Sequence, residues 1–294
     1  MRANLQCYYC CIRKIEGLLN QYNVSDTDSI EIIKDVFKIM SECDDNISAP
    51  VLMNKTMLVL ENKLGVTDTY KDAKEKYNKL LIEREDEFFN IVMNSDNIFE
   101  SAVKCAITGN YIDFGAMDTV DEGKLNELLE KREEIKLSSD ELSNLKDDIE
   151  KGKNLLYITD NAGEIVLDKV FIRVLKKLYP HLNIKVMVRG VPTLNDATIK
   201  DALEICMNDF AQVISNGTSI PGTQIEVLSD EAKKAVYEAD LCIAKGQGNF
   251  ETLRGSGINV YYMFLCKCDL FVKKFGVERF TPVLANEKRI VQYA

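Results

Sequence analysis

The chain has 294 residues, 46% of them hydrophobic, which is enough to enclose one large core or two smaller ones. Its 37 Lys and Arg against 47 Asp and Glu leave a net charge of −10, and with no local cluster of basic residues this argues against a nucleic-acid partner. No apolar run approaches the roughly 20 residues needed to span a bilayer. Residues 1–14 also lack the basic, apolar and small-residue succession of a secretion signal, so the expectation is a cytoplasmic protein without a membrane partner.

Nine cysteines, an odd count with no secretion signal, favour reduced thiols or metal ligands over a disulfide framework. Cys7-Tyr8-Tyr9-Cys10-Cys11 contains a CxxC, and Cys266-Lys267-Cys268 forms a second close pair. Cys7 and Cys10 supply only two ligands, so a second metal site or a redox role competes with a thiol cluster packed in an N-terminal helix. Cys43, Cys105, Cys206 and Cys242 stand singly among apolar residues and read as small buried side chains.

From residue 24 to about 151 the sequence is rich in Lys, Glu, Asp, Leu and Ile, with apolar residues three or four apart, and this stretch reads as helical. Ile30, Ile33, Val36, Ile39 and Met40 make one stripe, with Ser25 and Asp26 placed to cap it. Tyr77, Leu80, Leu81, Phe88 and Ile91 make another. Gly109-Asn110-Tyr111-Ile112-Asp113-Phe114-Gly115 interrupts the pattern as a polar, glycine-bounded turn. Residues 121–151 are heavily charged and read as one or two exposed helices that connect the halves.

After Gly152 the period changes to short apolar runs separated by helical patterns, the signature of repeated βαβ units. Strands are expected at 154–159, 183–189, 211–215, 241–245 and 260–265, with a weaker sixth at 282–285. Helices are expected at 164–179, 198–207, 229–239 and 250–255. The division is a helical region at 1–150 and a Rossmann-like α/β domain at 151–294.

Right-handed crossovers bring the carboxyl ends of such strands to one edge. The residues just past them are Asp160 and Asn161, then Arg189 to Asp196, then Asn216-Gly217-Thr218, then Lys245-Gly246-Gln247-Gly248-Asn249. Asp160, Asn161 and Asp196 offer oxygen donors only, which suits a hard octahedral cation such as magnesium or manganese. The chain's one histidine, His181, falls at the opposite end of the second strand and reads as a surface residue. Lys245 could neutralise a phosphoryl oxygen beside the cation, while Gly246 and Gly248 admit backbone N–H groups. No Walker Lys-Ser/Thr pair and no GxGxxG is present, and glycine after a strand is also ordinary turn chemistry.

At Asp160-Asn161-Ala162-Gly163-Glu164-Ile165-Val166, Asn195-Asp196-Ala197-Thr198 and Lys245-Gly246-Gln247-Gly248-Asn249-Phe250-Glu251, the chain resembles the damage-control metallophosphatase family, formerly a domain of unknown function. The likeness runs over nearly the whole chain. Cys7 to Cys10 and Gly109-Asn110 to Asp113 are similar to its stand-alone, CxxC-bearing branch of archaea and bacteria. The resemblance implies a helical region preceding a Rossmann-like α/β/α domain with a mainly parallel sheet. It further implies a divalent ion (manganese, magnesium, cobalt or nickel) on Asp160, Asn161 and Asp196. Family members hydrolyse phosphate esters of small metabolites, often damaged ones. By the same analogy Lys245 contacts the phosphate, and Asn110, Asp113, Glu164, Asn216, Gly217 and Thr218 line the substrate pocket, with Gly246, Gln247 and Gly248 beside them.

The functional expectation is therefore a metal-dependent hydrolase of small phosphorylated metabolites, in which Asp160 and Lys245 carry the chemistry and water attacks in line. Attack by Asp160 itself is a variant, but Asn161 and Ala162 depart from the DxDx(T/V) pattern of the haloacid-dehalogenase phosphatases. An adenosyl-cofactor-dependent carboxyl methyltransferase is an alternative, suggested for a relative. It is opposed by Arg189-Gly190 where a ribose-binding acid would stand. A metal-binding module without turnover is the third possibility. Oligomeric state is not legible.

Overall fold

The computed structural model describes residues 1–113 and 120–290. Helix α1 (Leu5–Gln21) starts where the Asn4 side chain accepts from the N–H groups of Gln6 and Cys7. Helix α2 (Asp26–Glu42) is capped by Ser25, as its sequence implies, and α3 (Ala49–Leu64) carries Pro50 in its first turn. The three pack on one another through Cys11, Ile15 and Leu18, then Ile32, Val36 and Met40, then Leu52, Met57 and Leu60. In α2 the row at i, i+4 and i+8 is the buried one. Ile30, expected in that stripe, is 57% exposed because it lies two residues, more than half a turn, from Ile32.

Helices α4 (Lys71–Ile82), α5 (Glu85–Met93) and α6 (Ile98–Gly109) are followed by α7 (Glu122–Glu130) and α8 (Ser139–Lys151). The last two each bury a single apolar pair, Leu125 with Leu129 and Leu145 with Ile149, and present their charges to solvent. In the second stripe Tyr77, Leu81 and Phe88 are buried, whereas Ile91 is 40% exposed.

The remaining chain alternates β1 (Asn154–Ile158), α9 (Glu164–Leu178), β2 (Asn183–Val188), α10 (Ile199–Glu204), β3 (Gln212–Ser215), α11 (Asp230–Glu238) and β4 (Leu241–Lys245). It continues with α12 (Gly246–Leu253), β5 (Val260–Leu265), α13 (Asp269–Phe275) and β6 (Pro282–Asn286). The sheet order is β3-β2-β1-β4-β5-β6. The first five strands run parallel, and β6 is antiparallel to β5. Both faces are buried, which is why the strands read as continuous apolar runs. Leu155, Tyr157, Ile243, Tyr261 and Met263 join α4 to α9 in one core. Leu156, Ile158, Cys242, Ala244, Tyr262 and Phe264 face α11 to α13 in the other. This is the expected α/β/α arrangement with a mainly parallel sheet. Leu194, from the connection after β2, packs into the cluster of α1 to α3 and so brings those helices over the strand ends. Among the described residues, no helix is long and apolar enough to cross a membrane.

Three sequence expectations are corrected. Helix α12 begins at Gly246, directly at the end of β4, rather than at 250, because Asn249 Nδ2 donates to the carbonyl oxygens of Lys245 and Thr159 and turns the strand straight into a helix. Helix α13 was not expected, being only seven residues long. Cys206 is exposed, in a left-handed turn at φ 55°, not a buried thiol, and Cys43 is only partly buried.

Phe250 lies at the centre of the second core, with ring centroids 4.8 Å from Tyr262, 5.6 Å from Phe264, 5.5 Å from Phe271 and 5.7 Å from Phe275. Phe250→Ala should cost about 3–5 kcal/mol in a urea titration, since the space cannot collapse around four other rings.

Candidate active site

Strand order reverses between β1 and β4, where open α/β sheets form a crevice. Asp160 follows β1, and α12 starts at the end of β4, so the two meet there. The approach is tight. Gly246 has φ 79°, and a Cβ on it would lie 2.0 Å from Asp160 Oδ2.

The loop after β1 is zipped to the loop after β2 by a short antiparallel bridge between Asn161 and Asp196. Ala162 N donates to Asn195 O, and Ala197 N donates to Asp160 O, both at 2.8 Å. That backbone pairing, not side-chain chemistry, puts Asp160, Asn161 and Asp196 in one place. Each then has one polar atom committed inward. Asp160 Oδ2 accepts from Asn110 Nδ2 at 3.1 Å and Asn161 Nδ2 at 2.8 Å. Asn161 Nδ2 also donates to Glu164 Oε2 at 2.8 Å. Asp196 Oδ2 accepts from Arg189 Nε at 2.7 Å. Oδ1 of Asp160, of Asp196 and of Asn161 is left without a hydrogen-bond donor among the described residues, with Arg189 Nη2 3.8 Å from Asp160 Oδ1.

The carboxylates are crowded. Burial holds the Asp160 carboxyl well above its usual range, and Glu164, Asp196 and Asp113 add repulsion. Burial pushes Asp196 up to about 6 against the pull of Arg189. Among the described residues no group of three His, Cys, Asp or Glu side chains is placed to hold an ion. The Asp160, Asn161 and Asp196 set, two carboxylates and a carboxamide, fits a hard cation that completes its shell with water or ligand oxygens.

Lys245 does not reach this space. Its ammonium is fully buried beneath the site and donates to Ala106 O at 2.8 Å, Glu164 Oε1 at 2.7 Å and Asp168 Oδ1 at 2.5 Å. All three N–H donors are used. Its side chain shares the sheet face of Ile243, two residues earlier, and so points toward α6 and α9. Burial alone would lower its pKa, but Asp168 and Glu164 together hold it raised. Asp168, itself bonded by the Tyr157 hydroxyl at 2.7 Å, is pushed up by burial to about 7 despite Lys245. The phosphate-contacting role expected of Lys245 is therefore corrected. The ammonium that lines the crevice belongs to Lys267, just past β5, which donates to Asn110 O at 2.6 Å and pairs with Asp113. Two of its three donors are taken.

A cavity of about 320 Å³ opens above the trio. Asp160, Asn161, Asp196, Asp113, Gln247, Gly248, Cys7 and Cys10 all line it, so eight expected site residues converge. Asn110 and Glu164 lie beneath it, fully buried, as does Gly246. Asn216, Gly217 and Thr218 do not line it. Asn216 Oδ1 instead accepts from Gly190 N and Thr218 N, both at 2.8 Å, shaping a turn behind the site. Phe114 and Gly115 of the expected loop lie outside the described residues. His181 is exposed at the far end of the sheet, as expected.

Sequence reasoning missed Lys267, although the strand-end rule applied to the other strands points to it. It also passed over Asn249, whose Oδ1 accepts from Arg189 Nη2 at 3.2 Å and Thr223 Oγ1 at 2.8 Å. Glu251, another lining residue, carries an Oε2 with no partner and is pushed by burial from 4.5 up to about 7.

A family model described as the damage-control phosphatase ARMT1-like domain matches residues 3–283. Uncharacterized protein MJ0202 of Methanocaldococcus jannaschii is 33% identical over 282 residues, 93% of this chain and 91% of that one. Damage-control phosphatase PH1575 of Pyrococcus horikoshii is 30% identical over 298 residues, 98% of this chain and 99% of that one. The crystal structure of a DUF89 family protein from Pyrococcus horikoshii aligns with a TM-score of 0.82 at 29% identity, covering 98% of this chain and 99% of that one. By class the chain is an α/β/α domain of the damage-control phosphatase type. It belongs to the damage-control phosphatase ARMT1-like family.

Lys245→Met should cost about 3–5 kcal/mol in denaturant unfolding, because it strands buried Glu164 and Asp168 without a counter-charge. A phosphate-binding lysine would instead give normal stability with lost turnover. Glu251 supplies a pH signature. Its folded value lies above its unfolded one, so its contribution is intact below pH ~4.5 and is lost as pH rises through ~7. Glu251→Gln should thus gain on the order of 2–3 kcal/mol on the wild type between pH 4.5 and 8, read from paired thermal or urea unfolding.

Proposed function

We propose that this chain is a divalent-metal-dependent hydrolase of phosphate monoesters of small metabolites. The observation that carries the reading is the oxygen of each of Asp160, Asn161 and Asp196 left uncommitted among the described residues, at the floor of the crevice beside Lys267. Magnesium, manganese, cobalt or nickel held there would polarise the phosphoryl group and acidify a water.

The protein's own residues supply orientation and charge. Among the described residues Lys267 has one N–H left to meet a phosphoryl oxygen, while Asp113 and Asn110 O fix the direction of its ammonium. The first turn of α12 offers backbone N–H groups at Gln247 and Gly248, without a partner among the described residues, on the same wall. Arg189 holds Asp196, and Asn249 holds Arg189, so the ligand geometry is set before substrate arrives. Asp160 Oδ2 already accepts two amide hydrogens. Once Oδ1 is given to a cation, Asp160 has no oxygen free for in-line attack, and the nucleophile is water. The methyltransferase alternative loses ground because the end of β2 carries a buried guanidinium engaged with Asp196 and Asn249, where a ribose would need an acid.

The test is phosphate release from an aryl phosphate with each divalent ion. Asp160→Asn should abolish ion-dependent turnover without lowering the stability of the ion-free protein, since it relieves crowding, and Asp196→Asn should abolish it too, at a cost in stability because it removes the buried partner of Arg189. Lys267→Met, in protein shown folded by circular dichroism, should lower kcat by ~10²- to 10³-fold. Wild-type rates in any of the three refute the assignment of that residue.

A further inference from the structure

The cavity changes character from floor to mouth. Its floor is Asp160, Asn161, Asp196 and the Lys267–Asp113 pair, all buried. Between floor and mouth the lining is half-buried or buried and, apart from Glu251, uncharged: Met53, Leu194, Pro221 and the thiols of Cys7, Cys10 and Cys268. Burial raises all three thiols, Cys7 to about 11, so they stand protonated near neutral pH. The CxxC therefore forms part of a polarisable, uncharged wall. At the exposed mouth stand Arg13 of α1 and Arg279, which follows α13, with Gln6 and Asp269 beside them.

These two arginines are unusual for this protein. Of its nine arginines, Arg84, Arg132, Arg173, Arg189, Arg254 and Arg289 each have a carboxylate partner. Two of the three that have none among the described residues, Arg13 and Arg279, are on this mouth, in a chain of net charge −10 where carboxylates are plentiful. Among the described residues neither forms an ion pair with Asp269, and the guanidinium carbon of Arg279 lies 5.5 Å from the ring of Phe280. A phosphate held at the floor would engage Lys267 and leave the rest of the 320 Å³, whose lining includes these guanidiniums, to the leaving group.

We propose that Arg13 and Arg279 form a second anion subsite, and that the preferred substrates are phosphate monoesters whose leaving group carries a further carboxylate or phosphate at its far end. The proposal rests on the phosphatase reading of the floor. Guanidinium forks match both anions, and at an exposed lip they select by KM more than by kcat.

The experiment compares phenyl phosphate with 4-carboxyphenyl phosphate and 1,4-phenylene bisphosphate on the full chain with manganese. The wild type should show about 10-fold higher kcat/KM for both doubly anionic esters, mostly through KM and shrinking with added salt. R13Q/R279Q should bring that ratio near 1, and R13K/R279K should restore part of it, which a merely structural role would not. A preference for one of the two esters assigns the second anion as carboxylate or phosphate. Binding of phenylphosphonate against 4-carboxyphenylphosphonate, by calorimetry, reads the subsite without turnover. Equal dissociation constants, or an advantage that survives R13Q/R279Q, overturn the proposal. Absence of hydrolysis of every ester, with the phosphonate preference intact, would instead sink the phosphatase reading and leave the subsite standing.

Discussion

The structure turns on the buried ammonium of Lys245. It ties the end of β4 to Glu164 and Asp168 of α9 and to the Ala106 carbonyl of α6, at the point where strand order reverses. From Glu164 the bonds run on to Asn110 and Asn161, and from those to Asp160. Asn110 also reaches the end of β5, accepting from Leu265 N at 3.0 Å and, through its carbonyl, from Lys267. One cation under the floor thus fixes the rotamers of the side chains above it. Such a cluster contributes little net stability, because desolvation offsets attraction, but it leaves few alternative packings for α6 and α9. The helical half is therefore part of the site's foundation: α6 supplies both the Ala106 carbonyl and, at its C-terminal end, Asn110.

What was legible in the sequence follows from what period and position encode. Parallel strands between helices gave the α/β/α order, and the strand-end rule found Asp160, Asn161 and Asp196, since those residues are placed by backbone pairing alone. The rule failed for Lys245 because it locates a residue along a strand without saying which face it takes. In a sheet buried on both sides, Ile243 and Ala244 are both apolar, so the alternation that would assign Lys245 to the α9 face is silent. Lys267 was obscured differently, lying between two cysteines that drew attention to themselves. The reach of α1 over the crevice was not legible at all. It depends on the contact of Leu194 with a cluster whose members are more than a hundred residues away.

Glycine shows the same division between local and tertiary information. Gly246 looked like half of a phosphate cradle, and turn chemistry was a fair competing account. Its φ of 79° satisfies that account, but the 2.0 Å approach of a hypothetical Cβ to Asp160 Oδ2 adds a requirement no local rule contains. The residue serves the crevice by having no side chain, and it is the reason α12 can start with its N-terminal amides against the floor.

Charge arrangement links these features. An acidic protein that acts on an anion, as proposed, must concentrate its cations, and the cations of this one stand in three tiers. Lys245 is spent below the floor on structure, and Arg189 is spent beside it on Asp196. Lys267 is half-spent, its ammonium aimed by Asp113. Moving outward, each cation has fewer internal partners, and its capacity to bind something from solution rises accordingly. The neutral thiols between Lys267 and the mouth sharpen this gradient, because they neither screen nor compete for charge. On the proposed reading, a ligand entering from solvent would meet the guanidiniums of the mouth first and the oxygens of Asp160, Asn161 and Asp196 last, an order that draws an anion inward instead of repelling it at the threshold.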